Sequence, residues 1–267
     1  MLLQNKNAVI YGAGGSLGGA VAQALSASGA KLFLTGRTTE SVQKVADEIQ
    51  LAGGHAVVDK IDALDEKEIQ AHLDKVVSQA GSIDISFNAT GCEVVQNLAM
   101  IDMSKDDFMR PVTFMLQTQF LTATAAGRLM KKQGSGVVLT LTATPGGIGY
   151  PLTAGFAPAC CAVESLSRNL AAELGLYGIR VVNIRSGGSP DSRVFASMIK
   201  NYPDVMEPIL RRMKQDTMLK TLPLMDDIAN VAVFLTSPLA GKITGVTVDV
   251  TCGTTAGLNY RTAMSAF

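Results

Sequence analysis

Short apolar runs alternate along almost the whole chain with much longer stretches of helical periodicity, and that alternation leaves few folds open. A strand followed by a helix and then another strand pairs in parallel, because the crossover brings the chain back to the same edge of the sheet. The runs predict strands over 7–11, 31–34, 55–58, 83–87, 136–141, 180–184 and 245–250. Several are continuously apolar, as strands buried on both faces must be. Helices are predicted over 17–28, 39–51, 66–79, 106–132, 157–175 and 225–236, with an irregular pair over 192–215. Thr38-Thr39-Glu40 and Asp65-Glu66-Lys67-Glu68 put capping and acidic groups where a helix N-terminus favours them. The expected architecture is α/β: one doubly wound parallel sheet of about seven strands, forming a single domain over 1–267.

At 267 residues the chain is long enough to bury a large core, and 5% aromatic content without Trp makes that core aliphatic. Basic and acidic residues balance at 23 each with no charged run, so no basic stripe marks a nucleic-acid partner. Cys92, Cys160, Cys161 and Cys252 have neither paired nor metal-ligand spacing and read as reduced thiols of a cytoplasmic protein; no metal site is expected. MLLQNK is too short and polar for a signal peptide. Residues 133–163 carry no charge, yet Pro145, Pro151, Pro158 and the Gly146-Gly147-Ile148-Gly149 cluster break any membrane-spanning helix; a strand, a loop and a helix start account for them. No linker or repeat divides the chain. Residues 187–220 read as an excursion beyond the sheet, either a substrate lid or a surface insertion.

The first strand, Ala8-Val9-Ile10-Tyr11, runs directly into Gly12-Ala13-Gly14-Gly15-Ser16-Leu17-Gly18 and a helix. Glycines let the backbone turn sharply and approach a pyrophosphate, whose charge then rests on the N-terminal amides of the helix. This strand–turn–helix context points to a Rossmann-type dinucleotide site. The second strand ends in Thr35-Gly36-Arg37-Thr38. A carboxylate there would bind the ribose hydroxyls of NAD and repel a 2′-phosphate, whereas Arg37 can grip that phosphate through its planar fork. NADP(H) is therefore favoured over NAD(H), with Thr38 beside it.

Taken in order, these segments resemble the short-chain dehydrogenase/reductase family over nearly the whole chain. The family's Thr-Gly-x3-Gly-x-Gly turn corresponds to Tyr11-Gly12-Ala13-Gly14-Gly15-Ser16-Leu17-Gly18, with Ser16 in place of the middle Gly. Asp62-Ala63 resembles the pair that contacts adenine, and Asn88-Ala89-Thr90-Gly91 the Asn-Asn-Ala-Gly segment, keeping Asn88 and Gly91. Gly178-Ile179-Arg180-Val181 matches the lead into the sixth strand, and Ser186-Gly187 stands where Pro-Gly normally follows it. Thr244-Gly245 and Asp249 resemble the final strand.

The resemblance implies a Ser, a Tyr, a Lys and an Asn that handle the proton and the nicotinamide ribose. Aligning Phe156-Ala157-Pro158-Ala159-Cys160 with the Tyr-x3-Lys segment puts Phe156 at the Tyr and Cys160 at the Lys; Ala143 falls at the Ser and Met115 at the Asn. Phenylalanine donates no proton and a neutral thiol supplies no field, so acid–base help worth roughly 10²–10⁴ in rate is missing. Tyr150, on the preceding loop, is a possible substitute; Thr142, Thr144 and Thr153 offer further hydroxyls. The enoyl-reductase spacing fails too, placing Thr153 before Cys160. Two functions stay open: an NADP(H)-dependent oxidoreductase with an unorthodox proton donor, acting on an unidentified small molecule, or a dinucleotide-binding sensor or assembly partner without turnover. The broadly apolar helices 106–132 and 157–175 are the family's dimer contact and imply a homodimer or homotetramer.

Overall fold

A computed structural model describes residues 1–256. The rest of the expected 1–267 domain lies outside it. Seven strands, β1 (Asn7–Tyr11), β2 (Lys31–Gly36), β3 (His55–Lys60), β4 (Ile85–Asn88), β5 (Gly136–Ala143), β6 (Ile179–Ser186) and β7 (Thr247–Val250), form one parallel sheet in the order β3-β2-β1-β4-β5-β6-β7. Eight α-helices intervene: α1 (Ser16–Ala27), α2 (Thr39–Leu51), α3 (Glu66–Ala80), α4 (Lys105–Gln133), α5 (Phe156–Leu174), α6 (Arg193–Asn201), α7 (Pro203–Gln215) and α8 (Met225–Thr236).

The period-2 alternation of side chains divides the core between the two faces. Ala8 and Ile10 of β1 point toward α1, α2 and α8, in a layer that includes Val21, Leu25, Val42, Ile49 and Ile228. Val9 and Tyr11 point the other way, toward α3, α4 and α5, with Ile69, Leu73, Met130 and Leu170. Asp65 caps α3 by accepting from the Lys67 and Glu68 amides, and Ser104 caps α4 by accepting from that of Asp107.

The element boundaries differ from the expected ones where local bonding intervenes. The fourth strand starts at Ile85 because the Ile83 amide donates to the Gln133 side chain, 2.9 Å away. The seventh starts at Thr247 because Gly245 turns the chain with φ +71°. Pro111 lies inside α4, so the 29-residue helix tolerates a ring where one backbone bond is absent. Among the described residues no helix is long and apolar enough to cross a membrane.

Strand order reverses at β1. Tyr11 pairs with Thr35 on one side and with Asn88 on the other, so the loops leaving β1, β2 and β4 converge at the carboxyl end of the sheet. Crevices at such a reversal are where doubly wound sheets bind ligands.

Candidate functional site

The turn after β1 is packed too tightly for side chains. Gly12 has φ +72°, and a Cβ on it would lie 2.9 Å from the Ala89 carbonyl and the Thr90 amide. A Cβ on Gly18 would overlap the Gly12 carbonyl oxygen, and one on Gly14 would overlap Ser41. Gly15 is the N-cap of α1 without a side-chain cap, and the first turn has no acidic residue. The leading amides of α1 therefore face the crevice with the positive end of the helix behind them, which suits a pyrophosphate. The Leu17 side chain packs against the core.

A cavity of about 190 Å³ opens beside this turn, lined by Gly12, Gly15, Arg37, Asp62, Ala63 and Gly91 among others. Residues far apart in sequence thus meet at one cavity. Arg37 is exposed and has no carboxylate partner among the described residues. Asp62 accepts from the Leu64 amide at 3.0 Å, and its own amide donates to Glu68 Oε2 at 2.8 Å, which fixes the loop.

Two expected contacts fall elsewhere. Thr38 is the exposed N-cap of α2 and does not line the cavity, because the chain has already turned into the helix. Asn88 is buried and holds the turn from behind: its Nδ2 donates to Thr122 Oγ1 at 3.0 Å and its Oδ1 accepts from the Thr90 amide at 2.9 Å. Its side chain is committed to protein partners. Tyr11, at the family's Thr position, lines this cavity; its hydroxyl is buried with no partner among the described residues, and burial pushes its pKa far up.

Two further cavities continue toward β5 and β6. One, of about 440 Å³, is lined by Thr90, Cys92, Gln96, Met115, Thr142, Ala143, Phe156 and Ser186. The other, of about 320 Å³, shares Gln96, Ala143, Phe156 and Ser186 and adds Tyr150, Gly187, Phe195, Met213 and Asp216. Met115, Ala143 and Phe156 therefore border a hollow made of these two adjoining cavities. Tyr150 borders it too, 40% exposed. Cys160 does not. It is fully buried with Met115, Ala159 and Val163, and burial pushes its thiol up to about 11, so it is neutral and inert at pH 7.

Behind the hollow runs a polar chain that the sequence does not announce. Thr140 donates to Asn183, Asn183 to Thr142 and Thr142 to Glu164, at 2.8–3.0 Å. Arg185 grips Glu164 through Nε at 3.0 Å and Nη2 at 2.7 Å, and reaches Asp249 Oδ2 through Nη1 at 2.8 Å. The Glu164 hydrogen bond raises the Arg185 pKa further. Burial alone would raise the Asp249 carboxyl, but bonds from Thr251, Thr255 and Arg185 hold it below its usual range.

Residues 187–220 leave β6, form α6 and α7, and return over the crevice. Arg193 Nη2 donates to the Gly14 carbonyl at 2.5 Å, and the Arg193 amide donates to Ser16 Oγ at 2.9 Å. Ser16, where the resemblance expects Gly, is thus the receptor for this segment. Phe195, Met213 and Asp216 form part of the hollow's wall.

Comparison with known proteins agrees with this fold. A family model described as enoyl-(acyl carrier protein) reductase matches residues 12–255. The 7alpha-hydroxysteroid dehydrogenase of Escherichia coli (strain K12) is 30% identical over 257 residues, covering 96% of this chain and 97% of that enzyme. The crystal structure of a levodione reductase superposes with a TM-score of 0.88 at 28% identity, over 96% of this chain and 100% of the other. A short-chain type dehydrogenase/reductase from Mycobacterium marinum gives 0.82 at 28% identity, over 96% and 97%.

Proposed function

The chain belongs to the short-chain dehydrogenase/reductase family, and from that membership we propose that it is an NADP(H)-dependent oxidoreductase acting on a small organic molecule. The observation that carries this reading is the meeting of Arg37, Asp62 and Ala63 at one cavity with the glycine turn, continuous with the hollow at Ala143 and Phe156. Relatives named as dehydrogenases and reductases support the reaction class.

The α1 amides would hold the pyrophosphate, and Arg37 would hold the adenosine 2′-phosphate. The nicotinamide, when bound, supplies or accepts a hydride. Met115, Ala143 and Phe156 shape the hollow and keep water out of it but offer no acid. The remaining phenol is that of Tyr150. The segment 187–220 serves as the lid, latched to the turn by Arg193. We also infer a homodimer or homotetramer: α4 and α5 pack side by side and leave Phe120 49% exposed on the α4 surface. Sedimentation as a monomer at micromolar concentration refutes the oligomer.

The test of function is NADPH oxidation followed at fixed cofactor with ketone, enone and iminium acceptors, in the parent and in Arg37→Ala. The proposal expects turnover whose NADPH KM rises about 10–100-fold in the variant, from loss of one Arg–phosphate contact. Tight NADPH binding with no turnover on any acceptor contradicts the enzyme reading and identifies a dinucleotide sensor.

A further inference from the structure

The walls of the hollow hold one charged side chain among the described residues, Asp216. It is the C-cap of α7, where the backbone carbonyls leave the negative end of a helix, an unfavourable place for a carboxylate. It has no ion-pair or side-chain hydrogen-bond partner among the described residues. Arg212 and Lys214 of the same helix end are exposed, and Lys220 donates instead to the Gln215 carbonyl. Phe195 and Met213 line the same cavity. A carboxylate so placed is complementary to a cation entering the hollow.

A second observation concerns the reacting end. Met115, Ala143 and Phe156 offer no acid to the part of the hollow beside Thr90 and Gly91, Tyr150 borders only the other part, and Cys160 lies behind it. Hydride addition to a ketone leaves an alkoxide, which demands a proton. Hydride addition to an iminium does not. The C–H bond forms at carbon, the C=N π pair moves onto nitrogen, and the product is a neutral amine; the dihydronicotinamide is the reductant and becomes the oxidised cofactor. Building on the oxidoreductase reading above, we propose that the substrate is an iminium cation, drawn into the hollow by Asp216 and reduced there without a protein acid. Because the substrate's positive charge disappears as the hydride arrives, Asp216 acts on binding more than on the chemical step.

The test has three arms. NADPH binding is measured first by calorimetry; absent binding removes the oxidoreductase reading and this proposal with it. With binding present, turnover of the N-methyl dihydroisoquinolinium cation is compared with that of tetralone, a neutral ketone of similar shape. The proposal expects the cation to be favoured by at least about 100-fold in kcat/KM; equal or better reduction of tetralone overturns it while leaving the oxidoreductase reading intact. Finally, Asp216→Asn is titrated with the unreactive N,N-dimethyl tetrahydroisoquinolinium ion. Binding of this ion is expected to weaken about tenfold, and KM for the iminium to rise by a similar factor with kcat within about threefold, the size of one partly exposed ion pair. Unchanged affinity for the unreactive cation refutes the role of Asp216.

Discussion

Glu164→Gln perturbs the polar chain behind the hollow while keeping its shape. In the parent, Glu164 accepts from Thr142 at 3.0 Å and from Arg185 at 3.0 and 2.7 Å, and the two charged side chains are only 6% and 15% exposed. The Gln oxygen can keep the bonds to Thr142 and to Arg185 Nε. Its amide nitrogen, however, turns a donor toward Arg185 Nη2, and the guanidinium keeps Asp249 as its one carboxylate. Losing one charge-assisted bond costs about 1.5–3 kcal/mol, and leaving a half-paired buried cation adds to it, so we expect about 3 kcal/mol of destabilisation. For a chain of this size that lowers Tm by about 6–12 °C. Calorimetry and urea unfolding check the value. Combined with Arg185→Met, the double variant should be more stable than the summed single losses imply, with a coupling of about 1–3 kcal/mol. A Glu164→Gln protein within about 0.5 kcal/mol of the parent would show that the pair is a passive surface contact.

The other predictions concern neighbouring parts of the same site. Arg193→Ala should weaken NADPH and NADH about equally, by about tenfold, because it removes the lid's grip on Gly14; unequal losses in a binding titration would contradict a role at the shared pyrophosphate. Gly12→Ala forces a Cβ against Ala89 at φ +72° and should cost about 1–3 kcal/mol together with most dinucleotide affinity, as measured by thermal unfolding with and without NADPH. Thiol labelling at pH 8 should find exposed Cys161 fast and buried Cys160 slow, so Cys161→Ser, and not Cys160→Ser, removes the rapid phase. The Asp249 carboxyl lies lower in the folded chain than its ordinary value near 3.9, so the stability it adds is complete above that range and is lost as pH falls through it. Asp249→Asn should flatten that acid-side loss in unfolding curves taken between about pH 5 and 2.

The fold was legible because each strand and helix advertises itself locally. Ala8–Tyr11 is apolar on both faces, Gly12–Gly18 follows at once, and Arg37 follows the next strand, so each segment that lines the cavity carries its own local mark. Thr38 was placed at the right helix boundary, yet as the exposed N-cap of α2 it does not line the cavity, and no local pattern shows which way a cap faces. Asn88 was found, yet its side chain faces Thr122, a partner 34 residues away that no local pattern connects to it. The longer the separation, the less was visible. Arg193 reaches Ser16 across 177 residues, and Arg185 reaches Asp249 across 64. Asp216 carries no local signal, because its position in the hollow depends on the path of the whole 187–220 segment. Cys160, by contrast, was readable as inert, because no base or cation accompanied it.

The central claim, a site shaped for NADP(H) through the α1 amides and Arg37, is tested most directly by calorimetric titration of the intact protein with NADPH and NADH. The account predicts saturable NADPH binding, one per protomer, with Kd in the range of about 1–50 μM, and NADH at least about tenfold weaker. Absence of binding at millimolar NADPH, or NADH binding as tight as NADPH, contradicts it.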